Sequence, residues 1–292
     1  MTTPSAPSAD TPALQLFVEH VTHIDCGVLD PDLGLRGATW LVDATLSGAR
    51  GEDGMLFDFG PAKKLLKARI DALVDHRLLV PLGAPGLESP DDSDTLVFTT
   101  RRGDRIQYAG PASATTRLDM PRIEAAPLAR WLQDRVFADM PANVDALELT
   151  LRAEIIEGPV YDYTHGLRGH DGNCQRLAHG HRCRLAIALD GIDRADIALA
   201  WADAWQGVFI GSRGDELAHD TAGRRAFAYR APQGDFALDI AAAHCVVVEG
   251  PATVENIADH IARVLAQRYP GQAVEVRAYE GVGKGAIARR QG

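Results

Sequence analysis

The chain repeats itself, and that repeat limits its possible folds more than any other feature. Residues 16 to 48 read LFVEHVTHID, a loop, then GLRGATWLVDATLSG, while residues 160 to 191 read VYDYTHGLRG, a loop, then RLAHGHRCRLAIALDG. Both are pairs of alternating segments joined by a Gly/Asp-rich turn, the pattern of a hairpin. Further on, TLVFTTRRGDRIQYAG (95 to 110) matches RAFAYRAPQGDFALDI (225 to 240). Each half then closes with a helical pattern and a strand pattern, PLARWLQDRVFADM before ALELTLRAEII and TVENIADHIARVLAQRY before AVEVRAYEG. The reading is a tandem duplication joined near Glu157 to Pro159, with halves at 14–157 and 158–292 behind a Pro/Ser/Ala-rich tail, 1–13, expected to be disordered.

Between the hairpins of the first half, GMLFDFGPAKKLLKARIDALVDHRLLVP places Leu65, Leu66, Ile70, Leu73 and Val74 at helical spacing, with Pro61 suited to a first turn. This predicts a helix ending near Asp75 and His76. The matching region of the second half, RADIALAWADAWQGVFIG, predicts another helix, and the apolar run after it sets Trp205-Gln206 opposite Asp75-His76.

A chain of 292 residues with 46% hydrophobic and 24% charged residues has ample material for two ordinary soluble domains. Its net charge of -10 and pI near 5.4 argue against a nucleic-acid binder, which needs a basic face for phosphates. The first 13 residues lack the basic start and apolar run of a signal peptide, and no later stretch is long enough to span a membrane. Four cysteines are too few for a disulfide scaffold at this length, which favours a cytoplasmic protein.

The chemistry concentrates in NCQRLAHGHRCRLAI. His179 and His181 are separated by one residue at the start of a strand pattern, so both imidazoles face one way. His165, in VYDYTHG, supplies a third candidate ligand. Three histidines around Zn²⁺ leave a coordination position open for water or substrate, as a catalytic site requires. Cys174 then reads as a proton-transfer group. A lone His-x-His is more often a surface or core feature than a ligand pair; His165 and Cys174 shift that balance.

The second half resembles the 6-pyruvoyltetrahydropterin and 6-carboxytetrahydropterin synthase family through THG, Cys174, HGH and its strand, TVEN at 253 to 256, and Glu280. The first half resembles the same family through FVEH, GMLFDFGPAKKLL and Asp75-His76. The resemblance implies an α+β tunnelling fold (T-fold), each repeat a four-stranded antiparallel sheet with two helices on one face, assembling into a β-barrel in a homo-oligomer. It also implies zinc on His165, His179 and His181, Cys174 as base, an assisting Asp75-His76 pair, and Glu280 and Thr253 at the substrate. Thr253 also suits a helix N-cap, and Asp75-His76 a helix C-terminus.

The halves depart from the family in opposite ways. In the first, His20 sits where the first ligand belongs, but Arg36-Gly37-Ala38 replaces His-Gly-His, so no metal is expected there. Ala153 stands at the glutamate position, with Glu154 one residue on, where it would face the other way. The second half lacks the Asp-His pair. Together they imply one composite site per chain, acting on 7,8-dihydroneopterin triphosphate to form 6-carboxy-5,6,7,8-tetrahydropterin for queuosine-type deazapurine biosynthesis. The alternatives are a pyruvoyl-forming synthase, which eliminates triphosphate, and a non-catalytic pterin- or purine-binding protein. Arg168 and His170 read equally as phosphate contacts or as a solvated loop.

Overall fold

The computed structural model describes residues 14–88, 94–218 and 220–292; the tail expected to be disordered, 1–13, lies outside them. The first half runs β1 (Leu14–Asp30), β2 (Gly34–Gly48), α1 (Phe59–Val74), β3 (Leu78–Pro81), β4 (Leu87–Glu88), β5 (Thr95–Thr99), β6 (Arg105–Ala109), β7 (Thr115–Leu118), α2 (Ala125–Phe137) and β8 (Val144–Arg152). The second runs β9 (Val160–His165), β10 (His179–Leu189), β11 (Ile192–Asp193), α3 (Ala195–Ala204), β12 (Val208–Ser212), β13 (Glu216–Leu217), β14 (Arg224–Ala231), β15 (Gly234–Ala241), β16 (Cys245–Val248), α4 (Val254–Arg268), β17 (Ala273–Tyr279) and β18 (Gly285–Gln291). No helix among the described residues is long and apolar enough to cross a membrane.

The helices form where the sequence marks them. Asp58 caps α1 by accepting from the Gly60 N–H, and Ala62, Leu66, Ile70 and Val74 bury one stripe at four-residue spacing. In α4, Thr253 caps the N-terminus, and Ile257, Ile261 and Leu265 face the core of the second half.

Two sheets share one strand order, β7-β3-β1-β2-β8 and β16-β12-β9-β10-β17, the second extended by β18 and by β11 beside β10. They are mixed rather than purely antiparallel. β3 and β12 are reached through helices, and a helical crossover returns the chain parallel to its starting strand, whereas the tight turn between β1 and β2 yields an antiparallel pair. The inner hairpins leave both sheets. They meet as a third sheet, β13-β14-β15-β6-β5-β4, in which β15 of one half pairs with β6 of the other. Beneath it, Leu29, Phe98 and Tyr108 share a buried cluster with Leu177, Phe209 and Phe227, so the two halves have a core in common.

The outer hairpins also meet, backbone to backbone. A Cβ on Gly37 would lie 2.1 Å from the Tyr163 carbonyl oxygen, and one on Gly27 would lie 1.9 Å from that of Ala178. Glycine is required at both crossings, since any side chain would push the strands apart. Gly37 N–H donates to Asp162 Oδ2 at 3.0 Å, and Arg182 N–H to Thr39 Oγ1 at 2.9 Å.

Candidate active site

The ladders fix how the halves correspond. Gly37 pairs with Gly27 as Gly180 pairs with Thr164; Leu78 pairs with Gly27 as Phe209 with Thr164; Val42 pairs with Leu151 as Leu185 with Ala278. Arg36, Gly37 and Ala38 thus occupy the places of His179, Gly180 and His181, and Ala153 that of Glu280.

Two expectations are corrected by this frame. The counterpart of His165 is Val28, not His20, which is an exposed residue on a bulge where the β1–β2 register shifts between Val18 and Thr22. The counterparts of Asp75 and His76 are Gln206 and Gly207, one residue beyond the expected Trp205-Gln206. His76 and Gly207 both adopt left-handed backbone, at φ 53° and 70°, and both donate their N–H to the carbonyl of an equivalent aspartate, Asp25 at 2.7 Å and Asp162 at 2.9 Å.

In the second half the three histidines converge in the interior. All are at most 1% exposed, and their candidate ligand nitrogens lie within 4.8 Å of one another. His165 Nδ1 is 2.8 Å from the Ala252 carbonyl and His179 Nδ1 is 2.7 Å from that of Arg176. A carbonyl can only accept, so both Nδ1 atoms carry the proton and, in neutral rings, both Nε2 atoms present lone pairs. His181 Nδ1 makes no hydrogen bond, but it lies 3.3 Å from Asp25 Oδ1, a carboxylate oxygen that can only accept, which favours the same tautomer. His165 Nε2 and His181 Nε2 then face each other at 3.1 Å as two lone pairs, and His179 Nε2 has no hydrogen-bond partner. Bare acceptors converging in a buried place fit a cation, and nitrogens bound to one tetrahedral zinc at about 2.0 Å stand roughly 3.3 Å apart. Burial, with the neighbouring His181, lowers the pKa of His165 to about 4, and burial together with the other histidines lowers that of His179 well below its usual value. Both rings are neutral, as ligands must be.

The first half delivers Asp75 and His76 to the same place. Cys174, on a short 3-10 turn (Asn173–Gln175), lies within 4.8 Å of both His76 and His179, and the His76 ring packs 5.1 Å from that of His179. His76 Nδ1 is 2.6 Å from Asp75 Oδ2. Burial opposes the charged form of His76, but hydrogen bonds to Asp75 and Cys174 outweigh it and raise the pKa to about 10. Left-handed backbone at His76 and at Ala178, φ 66°, costs free energy at two non-glycine residues beside the site.

Glu280 sits in the turn after β17 rather than on the strand, with Oε1 3.8 Å from both His165 Nε2 and His181 Nε2. Thr253 accepts from the Asn256 N–H, and the residue before it, Ala252, holds His165. Arg168 pairs with Asp215 at 2.9 Å, and His170 Nδ1 accepts from the Gly172 N–H at 2.8 Å, so both are engaged in loop structure. A cleft of about 420 Å³ lined by Gly166, Arg168, Arg213 and Pro251 flanks His165.

The equivalent place in the first half is filled. Arg36, in the position of His179, lies along Gly207 and donates through Nε to Asp162 Oδ2 at 2.7 Å, and Gln206 also donates to Asp162. A guanidinium, paired with the carboxylate equivalent to Asp25, occupies the twin of the histidine cluster. Sequence reasoning missed Asp25 and Asp162, although both stand in matching strands; their equivalence appears only once the ladders are aligned.

The sequence profile described as "6-pyruvoyl tetrahydropterin synthase" matches this chain twice, at residues 22–153 and 154–291. Among curated proteins, one from Pyrococcus horikoshii provisionally named 6-carboxy-5,6,7,8-tetrahydropterin synthase is 24% identical over 117 residues, 40% of this chain and 67% of that protein. A Pyrococcus abyssi protein of the same provisional name is 26% identical over 110 residues, so the match spans 38% of this chain and 62% of that relative. Among solved structures, the 6-pyruvoyl tetrahydropterin synthase of Plasmodium vivax aligns at 16% identity and TM-score 0.41, covering 48% of this chain and 91% of that one. That of Plasmodium falciparum aligns at 14% and 0.39, covering 48% and 90%. With two profile matches that together span nearly the whole chain, the protein belongs to the 6-pyruvoyl tetrahydropterin synthase family as a tandem repeat.

Proposed function

We propose that this chain is a zinc-dependent lyase that converts 7,8-dihydroneopterin triphosphate to 6-carboxy-5,6,7,8-tetrahydropterin, in queuosine-type deazapurine biosynthesis, at one composite site per chain. The observation that carries this reading is the convergence of His165, His179 and His181 with Cys174 and, from the other half, Asp75-His76. The half at 158–292 holds the metal and the half at 14–157, whose own site is plugged by Arg36, contributes the Asp-His pair. The provisional names of the Pyrococcus relatives favour the carboxy product. The protein works as a cytoplasmic homo-oligomer with no nucleic-acid or membrane partner, a setting in keeping with four free cysteines and an acidic composition.

Zinc held by the three Nε2 atoms would supply Lewis-acid polarisation of the substrate's side-chain oxygens. The chain's own residues do the rest. Cys174 as thiolate takes a proton from the substrate side chain, helped by the cationic His76 beside it. His76, held by Asp75, returns or relays a proton. Glu280 offers a carboxylate to the amino and ring N–H groups of a pterin, and Thr253 borders the same space. Incubating purified protein with 7,8-dihydroneopterin triphosphate tests the reading. Acetaldehyde, triphosphate and the carboxy product are expected; triphosphate with a pyruvoyl product and no acetaldehyde would make it the pyruvoyl-forming synthase, and tight binding without turnover would make it a pterin-binding protein.

A further inference from the structure

Asp25 is a fully buried carboxylate on β1, in the half without the histidine cluster, and it lies against His181, the Asp75-His76 pair and the turn after Glu280. Its Oδ1 accepts from Thr39 Oγ1 at 2.6 Å and lies 3.3 Å from His181 Nδ1. Its backbone N–H donates to Asp75 Oδ1 at 2.9 Å, and its carbonyl accepts the His76 N–H at 2.7 Å. The turn after Glu280 rests on it as well, since a Cβ on Gly281 would come 2.8 Å from both carboxylate oxygens. Its Oδ2 has no hydrogen-bond partner, only His23 Nε2 at 3.6 Å.

We infer that Asp25 is the positioning carboxylate of the metal centre, fixing the tautomer and orientation of His181 from the opposite half, so that metal affinity itself depends on the degenerate twin. The inference rests on the reading of His165, His179 and His181 as metal ligands. A ligating imidazole holds its metal best when its other nitrogen donates to a fixed acceptor, and a carboxylate raises ligand basicity more than a carbonyl does. His165 and His179 have carbonyls; His181, whose Nδ1 makes no hydrogen bond, has the Asp25 carboxylate 3.3 Å away. Charge gives a second reason. Three neutral imidazoles leave a divalent cation uncompensated in the interior, and Asp25 with Glu280 supplies two negative charges close by. The twin site repeats the device across the same interface: Asp162, equivalent to Asp25, reaches into the other half to bind Arg36 and the Gly37 N–H. There the carboxylate is answered by a guanidinium, whereas at Asp25 it faces a candidate metal ligand.

The test measures zinc affinity of the full chain by competition with a chromophoric chelator, alongside the d–d spectrum of the cobalt-substituted protein. Asp25→Ala is expected to weaken zinc by about 10- to 100-fold and to alter the cobalt spectrum. Asp25→Asn, which keeps size and one acceptor, is expected to show a smaller loss and serves if the alanine variant does not fold. His23→Ala, which touches Asp25 but not His181, should bind zinc as the wild type does. Wild-type zinc affinity in folded Asp25→Asn and Asp25→Ala, or an equal loss in His23→Ala, overturns the inference. A wild-type protein that binds no zinc instead overturns the underlying ligand assignment.

Discussion

Substituting Gly37 by alanine tests whether the two halves are joined as closely as the composite site requires. The new Cβ would meet three backbone atoms, Tyr163 O at 2.1 Å, His181 O at 2.5 Å and His181 N at 2.8 Å. None belongs to a flexible side chain that could swing away, so the strands themselves must separate by about 1 Å to reach ordinary contact, an overpacking cost of roughly 1–3 kcal/mol. Separation also strains the bond from Gly37 N–H to Asp162, a hydrogen bond to a charged group worth about 1.5 kcal/mol or more. The combined loss is about 2.5–4.5 kcal/mol. At about 2.1 cal/mol/K per residue, unfolding a chain of 292 residues carries an entropy near 0.6 kcal/mol/K, so the melting temperature should fall by roughly 4–7 °C. Differential scanning calorimetry on Gly37→Ala and on Gly169→Ala, whose Cβ would enter open space, supplies the comparison. Melting of Gly37→Ala within 1 °C of wild type refutes the close crossing and, with it, the route by which Asp25, Asp75 and His76 reach the histidines.

Other outcomes follow from the same geometry. Metal analysis by mass spectrometry should find about one zinc per chain, lost in His179→Ala; two per chain would contradict the plugged first-half site. Cys174→Ala should abolish turnover of 7,8-dihydroneopterin triphosphate while zinc stays bound, and retained turnover would remove the thiol from the mechanism. His76→Ala should lower kcat by about 100-fold or more, the usual worth of a positioned acid or base, and wild-type kcat would end the shared-site reading. Arg36→Ala leaves the buried Asp162 with Gly37 N–H and Gln206 alone and should cost about 2–3 kcal/mol in urea unfolding without changing zinc stoichiometry.

Much of this arrangement is legible in the residues. The duplication, the hairpins, the four long helices and the place of His165, His179, His181 and Cys174 follow from alternation, helical spacing and short motifs, because these patterns are local. The one-residue error at Trp205-Gln206 arose where local pattern fails: α1 has 16 residues and α3 has 10, so no match carried through the helices holds register. Only ladder pairing, and the left-handed backbone shared by His76 and Gly207, settles it. His20 misled because FVEH imitates the local motif, whereas the ladders set it eight residues before Val28, on a stretch of β1 for which the shorter β9 has no counterpart.

The sequence by itself determined the two repeats, their α+β character and which of them keeps the three-histidine set, since each is written in neighbouring residues. Tertiary structure decided everything that crosses between the halves. That Asp75-His76 approaches Cys174, that Arg36 fills the twin site, and that Asp25 stands behind His181 all depend on β1 and β2 lying against β9 and β10 through Gly27 and Gly37. Side chains that meet across such a crossing are far apart in the chain and leave no periodic trace, so the geometry of packing alone brings them together.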